Sequence, residues 1–215
     1  MQLPFQIFLL GIPGCGKSEV YRRIKERLIK EGIAQDVIRI DDFPKLHSCF
    51  VSDDEAEKQG KKRRYSKKTT DGGWLVTNKE IWDELLKMVN DDIKKERKNG
   101  RVIFLEFSRP DMVRSIQKNF DENIKDSSFI IYIFCPFDIC WERNVRRHKQ
   151  ALAAGTDDHL VSREEMESTY AKDDHDELYK LGIPFVVLDN HFNQSELLDF
   201  EIEKVIKFIN IYITK

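Results

Sequence analysis

"GIPGCGKSEV", residues 11–20, follows directly on the apolar run "FQIFLL" of residues 5–10. Gly11, Gly16, Lys17 and Ser18 fit the spacing GxxxxGK[ST]. That spacing has a physical logic. Glycines let the backbone curl so that successive N–H groups point inward at phosphate oxygens. The helix that follows presents an N-terminus with unpaired donors and partial positive charge. Lys17 adds a mobile full charge, and the Ser18 hydroxyl is a small oxygen ligand suited to Mg²⁺. The stretch reads as strand, phosphate cradle, helix. Its candidate nucleotide-binding residues are Gly11, Gly14, Cys15, Gly16, Lys17, Ser18 and Glu19. A thiol at position 15 would feel the loop amides and Lys17, which should lower its pKa.

The chain around this cradle has 215 residues, 40% hydrophobic and 34% charged, with a formal charge of −2. Bulk electrostatics therefore points to neither a nucleic-acid nor a membrane partner. The longest apolar runs, such as "FIIYIFC" (129–135), are too short to span a bilayer. "MQLPFQIFLL" has no basic region and no small-residue cleavage site, so it is not read as a signal peptide. Cys15, Cys49, Cys135 and Cys140 form no CxxC pair and no zinc spacing, which favours free thiols and a cytoplasmic setting.

Four more apolar runs recur: "DVIRI" (36–40), "RVIFLEF" (101–107), "FIIYIFC" (129–135) and "PFVVLD" (184–189). Continuous rather than alternating apolarity is how strands read when both sheet faces are covered. Between the runs lie helical patterns. Val20, Ile24 and Leu28 share one face, with Gly32 placed to end that helix. Ile81, Leu85, Met88 and Ile93 repeat the pattern after Thr77 or Asn78 as the cap, with Gly100 as the stop. Residues 138–155, 162–182 and 195–213 also read as helices. Such alternation predicts an α/β fold with a parallel, doubly wound sheet. Residues 45–73 are polar and break the rhythm, and read as an inserted loop beside the site or a plain surface loop.

With this much in view the chain resembles small kinases of the P-loop NTPase superfamily. The resemblance implies a three-layer P-loop sandwich with a five-stranded sheet of order 2-3-1-4-5. It also implies one kinase domain over 1–215, with the 45–73 insertion near the substrate and a lid over 143–175. ATP and Mg²⁺ are the implied cofactors. No guanine-reading NKxD motif lies where it would be needed, since "TNKE" at 77–80 opens a helix early in the chain.

Residue by residue, the resemblance assigns the following roles. "IRIDDFPK" ends the second strand, where polynucleotide kinases and zeta-toxin kinases carry an acid that accepts the proton of the attacking hydroxyl. Asp41 becomes the candidate base and Asp42 a substrate neighbour. Where polynucleotide kinases have an arginine soon after, this chain has Pro44-Lys45. Glu106 ends the third strand in the position of an acid that reaches towards Mg²⁺, together with Ser18. Arg109, in "EFSR", is similar to the acid–arginine–serine motif of some nucleoside kinases and would grip an anionic substrate or the transferring phosphate. Arg143, Arg146 and Arg147 fall on one helical face, where such kinases carry lid arginines; Arg143 and Arg147 are the foremost candidates. "GTDDHLVSREE" (155–165) would be the lid tip. Asn190 and Phe192 follow the fifth strand, where loops surround adenine.

"KKRRYSKK" (61–68), with Tyr65 and nearby Trp74, is a basic and aromatic cluster. Solvated loop, small anionic substrate and nucleic acid are its three readings. The expected activity is ATP-dependent phosphotransfer to a hydroxyl of a nucleoside, nucleotide or sugar derivative. The alternatives are a nucleic-acid end kinase using the basic insertion, and a slow NTP-hydrolysing switch.

Overall fold

The computed structural model describes residues 4–155, 160–192 and 194–213. Five parallel strands form the main sheet: β1 (Phe5–Leu10), β2 (Asp36–Asp41), β5 (Arg101–Glu106), β6 (Ser128–Phe134) and β7 (Phe185–Asp189). They lie in the order β2-β5-β1-β6-β7. The intervening β3 (Ser66–Lys68) and β4 (Trp74–Val76) pair only with each other, as an antiparallel hairpin. With that hairpin set aside, the order is the expected 2-3-1-4-5.

The apolar runs are continuous because helices cover both faces. Ile7 and Leu9 point one way, against α1 (Lys17–Lys30) and α8 (Ser195–Ile213). Val20, Ile24 and Leu28 of α1 meet them there, all fully buried. Phe8 and Leu10 point the other way, against α3 (Glu80–Glu96) and α4 (Met112–Asn119). Burying each such side chain stabilises the fold by roughly 1.5–3 kcal/mol. On α3 the inner face is Ile81, Leu85, Leu86, Val89 and Ile93, while Met88 is exposed, so the helical phase differs by one residue from the expected stripe. The helix also ends at Glu96, before Gly100.

Two stretches fold differently from their sequence reading. Residues 45–73 are not a loop. Phe43–Lys58 form α2, which is followed by the β3–β4 hairpin. Leu46 and Phe50 of α2, Val76 of β4 and Ile81, Trp82 and Leu85 of α3 make a third, small core. Buried Asp53 organises the turn between α2 and β3. Its carboxylate accepts from the backbone N–H groups of Arg64, Tyr65 and Ser66 and from the Ser66 hydroxyl, at 2.8–2.9 Å. Burial pushes this carboxyl up, yet the four donors outweigh it and hold it low.

Residues 162–182 are not one helix either. They divide into α7 (Arg163–Tyr170) and a 3₁₀ helix (His175–Leu181). Asp174 sits at the break and accepts from the N–H groups of Met112 and Val113, so its carboxylate serves α4. The remaining helices are α5 (Glu122–Lys125) and α6 (Phe137–Ala153). Most of the anticipated tip at 155–165 is seen, but Thr156, Asp157, Asp158 and His159 lie outside the described residues. Among the described residues no helix is long and apolar enough to cross a membrane. All four cysteines are free thiols.

Candidate active site

The cradle runs from the C-terminal end of β1 to the N-terminus of α1. Its glycines are sterically required, as two of them show. Gly14 has φ +86°, and a Cβ there would stand 2.2 Å from the Cys140 carbonyl oxygen. Gly16 has φ +101°, and its Cβ would stand 2.3 Å from Asn190 Nδ2. Lys17 folds back over the loop. Its Nζ donates to the Gly11 carbonyl (2.9 Å), the Ile12 carbonyl (3.2 Å) and Ser108 Oγ (2.9 Å). Ser108 in turn donates to the Gly11 carbonyl at 2.8 Å. Ser108 is therefore a site residue that the sequence reading passed over.

Asn190 and Arg143 are both engaged within the protein. Asn190 is buried, and its Nδ2 donates to the Cys15 carbonyl at 2.7 Å, so it holds the cradle from behind. Arg143 donates to the carbonyls of Asn190 and Phe192, both at 2.8 Å. The guanidinium pins the segment after β7, and that segment pins the loop. Cys15 also departs from expectation. Burial pushes its thiol up, outweighing the attraction of Lys17. It packs in the core beneath the cradle.

Ser18 and Glu106 come together through a residue that no motif flagged. Arg39 Nη1 lies 3.3 Å from Ser18 Oγ and 3.2 Å from Glu106 Oε2. Glu106 is buried, and desolvation raises its pKa against the pull of Lys17. Among the described residues there is no group of three or more His, Cys, Asp or Glu side chains able to hold a metal. A hydroxyl and one carboxylate at a phosphate cradle nevertheless fit Mg²⁺, which takes few protein ligands and fills its shell with water and phosphate oxygens. Glu19 lines the same cavity, but its carboxylate is paired with Arg22 and Arg23 and held down at about 2, chiefly by Arg22.

The acid pair is sharply unequal. Asp41 lies beside Glu106 across the β2–β5 ladder. Its Oδ1 accepts from the Phe43 N–H at 2.9 Å, which starts α2. Asp42 is buried, and its Oδ2 accepts from Arg109 Nη2 at 2.5 Å. Arg109 is itself buried, donates from Nη1 to the Ser108 carbonyl at 2.6 Å and stacks 5.1 Å from the Trp82 ring. It is neither at the surface nor held ready for an anion. Burial raises the Asp42 pKa, opposed by Arg109.

A cavity of about 430 Å³ joins these parts. Lys17, Ser18 and Arg147 line it, as do Asp41, Glu106 and Arg109. An apolar wall of Phe43, Leu46, Phe50, Trp74 and Val76 comes from α2 and the hairpin. The Trp74 ring stacks on Phe50 at 5.2 Å, with Lys68 Nζ 4.2 Å over it. Segment 160–165 closes the cavity by zipping onto the hairpin. Val161 bridges Trp74, Ser162 Oγ donates to the Trp74 carbonyl, and Glu165 Oε2 accepts from the Val76 N–H. Half of the basic cluster pairs with nearby acids instead. Arg63 pairs with Asp54 and Glu57, Lys68 with Asp54 and Lys67 with Glu164.

A family model described as an AAA domain matches residues 10–161. The chain belongs to that P-loop family. No curated protein sequence matches this P-loop chain. Its fold is similar to several solved structures over nearly their whole length. An APS kinase of Mycobacterium tuberculosis, solved with AMPPNP and APS, superposes with a TM-score of 0.59 at 14% identity, covering 98% of this chain and 99% of that one. A gluconokinase from Sinorhizobium meliloti 1021 gives 0.56 at 16% identity, covering 100% and 99%. Kti12 of Chaetomium thermophilum, solved with ADP-AlF3, gives 0.54 at 14%, covering 95% and 98%. At these identities the likeness is one of fold, the small P-loop kinase sandwich.

Proposed function

We propose that this P-loop domain is an ATP-dependent kinase that transfers the γ-phosphoryl group to a hydroxyl of a small molecule. One observation carries the reading: the cradle lysine and a strand-end carboxylate, Lys17 and Asp41, line the same cavity. A hydrolytic switch has no use for an acceptor base. The pairing of Arg63, Lys67 and Lys68 with nearby acids likewise favours a small acceptor over a nucleic-acid end.

The roles follow from position. Lys17 leaves the Gly11 and Ile12 carbonyls to meet the β- and γ-phosphates, with Ser108 steering it. Ser18 and Glu106 would hold Mg²⁺, which would offset charge on the phosphates. Asp41, with Oδ1 fixed by the Phe43 N–H, accepts the proton of the attacking hydroxyl through its other oxygen. Arg147 supplies charge to the phosphoryl group in flight. Arg143 positions the cradle. Residues 143–175 act as the lid and 45–73 as the substrate wall of one kinase domain, in the cytoplasm.

Acceptor-dependent ADP release from Mg²⁺-ATP, measured across a panel of hydroxylated metabolites, tests the proposal. Hydrolysis that no acceptor accelerates would point to the switch.

A further inference from the structure

The last helix, α8, is apolar on two faces. Leu198, Ile202, Val205, Ile206 and Ile209 are buried, where the helix packs on β7 and α1. Leu197, Phe200, Phe208 and Ile211 are apolar too, yet each is between 37% and 62% exposed. At about 100° per residue these four fall within an arc of about 80°, on the side turned away from the core. Lys204 sits at the centre of that arc, with Nζ 4.5 Å over the Phe200 ring, so its stem lies along the stripe. From residue 197 to residue 211 the stripe covers about 21 Å of helix. A surface helix ordinarily keeps its outer face polar, and a contiguous apolar patch on that face marks a contact surface.

The charges beside the stripe say what fits it. The first half of α8 carries Glu196, Asp199, Glu201 and Glu203, and the second half carries Lys204 and Lys207. A lipid surface calls for basic residues along such a helix, and here acids outnumber them. The order suits a second α8 running the opposite way. With a two-fold axis at Lys204, Leu197 meets Ile211 of the second copy and Phe200 meets Phe208. Lys204 then faces Glu201 of the second copy, and Lys207 faces Glu203. Within one chain the same residues already pair, Lys204 with Glu201 at 2.5 Å and Lys207 with Glu203 at 3.6 Å, while Glu203 also holds Arg27 of α1. Each pair can therefore be shared across the axis. A two-fold interface needs this self-complementarity, and the opposed helix dipoles favour it.

We infer that α8 is the interface of a two-fold dimer of this chain. Two copies of the helix pack antiparallel through Leu197, Phe200, Phe208 and Ile211, with Lys204 and Lys207 set against Glu201 and Glu203 of the second copy.

Sedimentation equilibrium on the full chain, across the micromolar range, tests this. The unaltered protein should show twice the mass of one chain. Phe200→Glu and Phe208→Glu each change an exposed side chain, so the circular dichroism spectrum should not move, while the dimer dissociation constant should rise about ten-fold or more. Orientation has its own readout. Phe200→Cys mixed with Phe208→Cys should cross-link one variant to the other under mild oxidation, and neither alone should cross-link beyond the level of the unaltered protein. A monomer at every concentration, whether free or bound to phosphatidylserine vesicles, overturns the inference, and that measurement needs no variant to fold. A dimer that both glutamate variants leave intact overturns it as well, as does Phe200→Cys cross-linking to itself as readily as to Phe208→Cys.

Discussion

Arg39 Nη1 stands 3.2 Å from Glu106 Oε2 and, with the same nitrogen, 3.3 Å from Ser18 Oγ. A guanidinium thus joins the two side chains assigned to the metal. It balances the Glu106 carboxylate where a divalent ion would otherwise do so, while its centre lies 5.3 Å over the Tyr21 ring. Arg39→Ala should therefore lower the Mg²⁺ concentration for half-maximal ADP release several-fold. An unchanged Mg²⁺ titration would show that guanidinium and metal do not compete.

The Glu106 carboxyl supplies a pH test of the same site. Burial raises its pKa in the folded chain, with Lys17 pulling the other way. A raised acid favours folding below its unfolded pKa, and that contribution is lost as pH rises through the folded value. Mg²⁺ binds the ionised form and offsets the loss. The rise in Tm produced by Mg²⁺-AMPPNP should therefore grow as pH climbs above the ordinary glutamate range, and in Glu106→Gln it should be small and flat with pH.

Lys17→Ala should abolish phosphotransfer and leave the fold intact. The Nζ bonds to loop carbonyls, the Cys15 thiol and the Ser108 hydroxyl, and the side chain is not part of any apolar core cluster among the described residues. Near-normal ADP release with an unchanged circular dichroism spectrum would overturn the cradle assignment.

Substitutions of the acid pair should separate chemistry from stability. Asp41→Asn should lower kcat by roughly 10²–10⁴ with little change in nucleotide affinity. Asp42→Asn leaves Arg109 buried beside an uncharged partner, and loss of such a partner costs about 3–5 kcal/mol. Urea denaturation of both variants, set beside their turnover, decides the matter. Equal stabilities would mean that the Asp42–Arg109 pair carries no structural weight.

Arg143 and Arg147 should likewise part company. Arg143→Ala removes two charge-assisted bonds to the Asn190 and Phe192 carbonyls, each worth about 1.5–3 kcal/mol, and should lower Tm and raise the KM for ATP. Arg147→Ala should lower kcat at saturating ATP and leave the KM for ATP little changed. Matching kinetic profiles for the two would refute the division.

The sheet was legible from residues 5–10, 36–40, 101–107, 129–135 and 184–189, because strands covered on both faces need no alternation to stand out. The cradle was legible because its glycines and Lys17 are spaced by the geometry of a phosphate. Residues 43–76 were not. Leu46 and Phe50 are the buried apolar residues of α2, and the turn after it depends on the Asp53 carboxylate, which resembles any other surface acid in sequence. Arg39 and Ser108 escaped for a related reason: each acts through a partner remote in the chain. For Asp42, the buried arginine decides the outcome, and that arginine lies 67 residues away.

The hairpin and the 160–165 segment meet edge to edge, and α2 and the hairpin keep a small core of their own with α3. The apolar wall of the cavity and the phosphate cradle thus come from different lengths of chain. Variation within 43–76 can recast the acceptor wall while the β1–α1 junction stays as it is. Exchanging that stretch for the corresponding segment of another P-loop kinase is the shortest route from this protein to one with a new appetite.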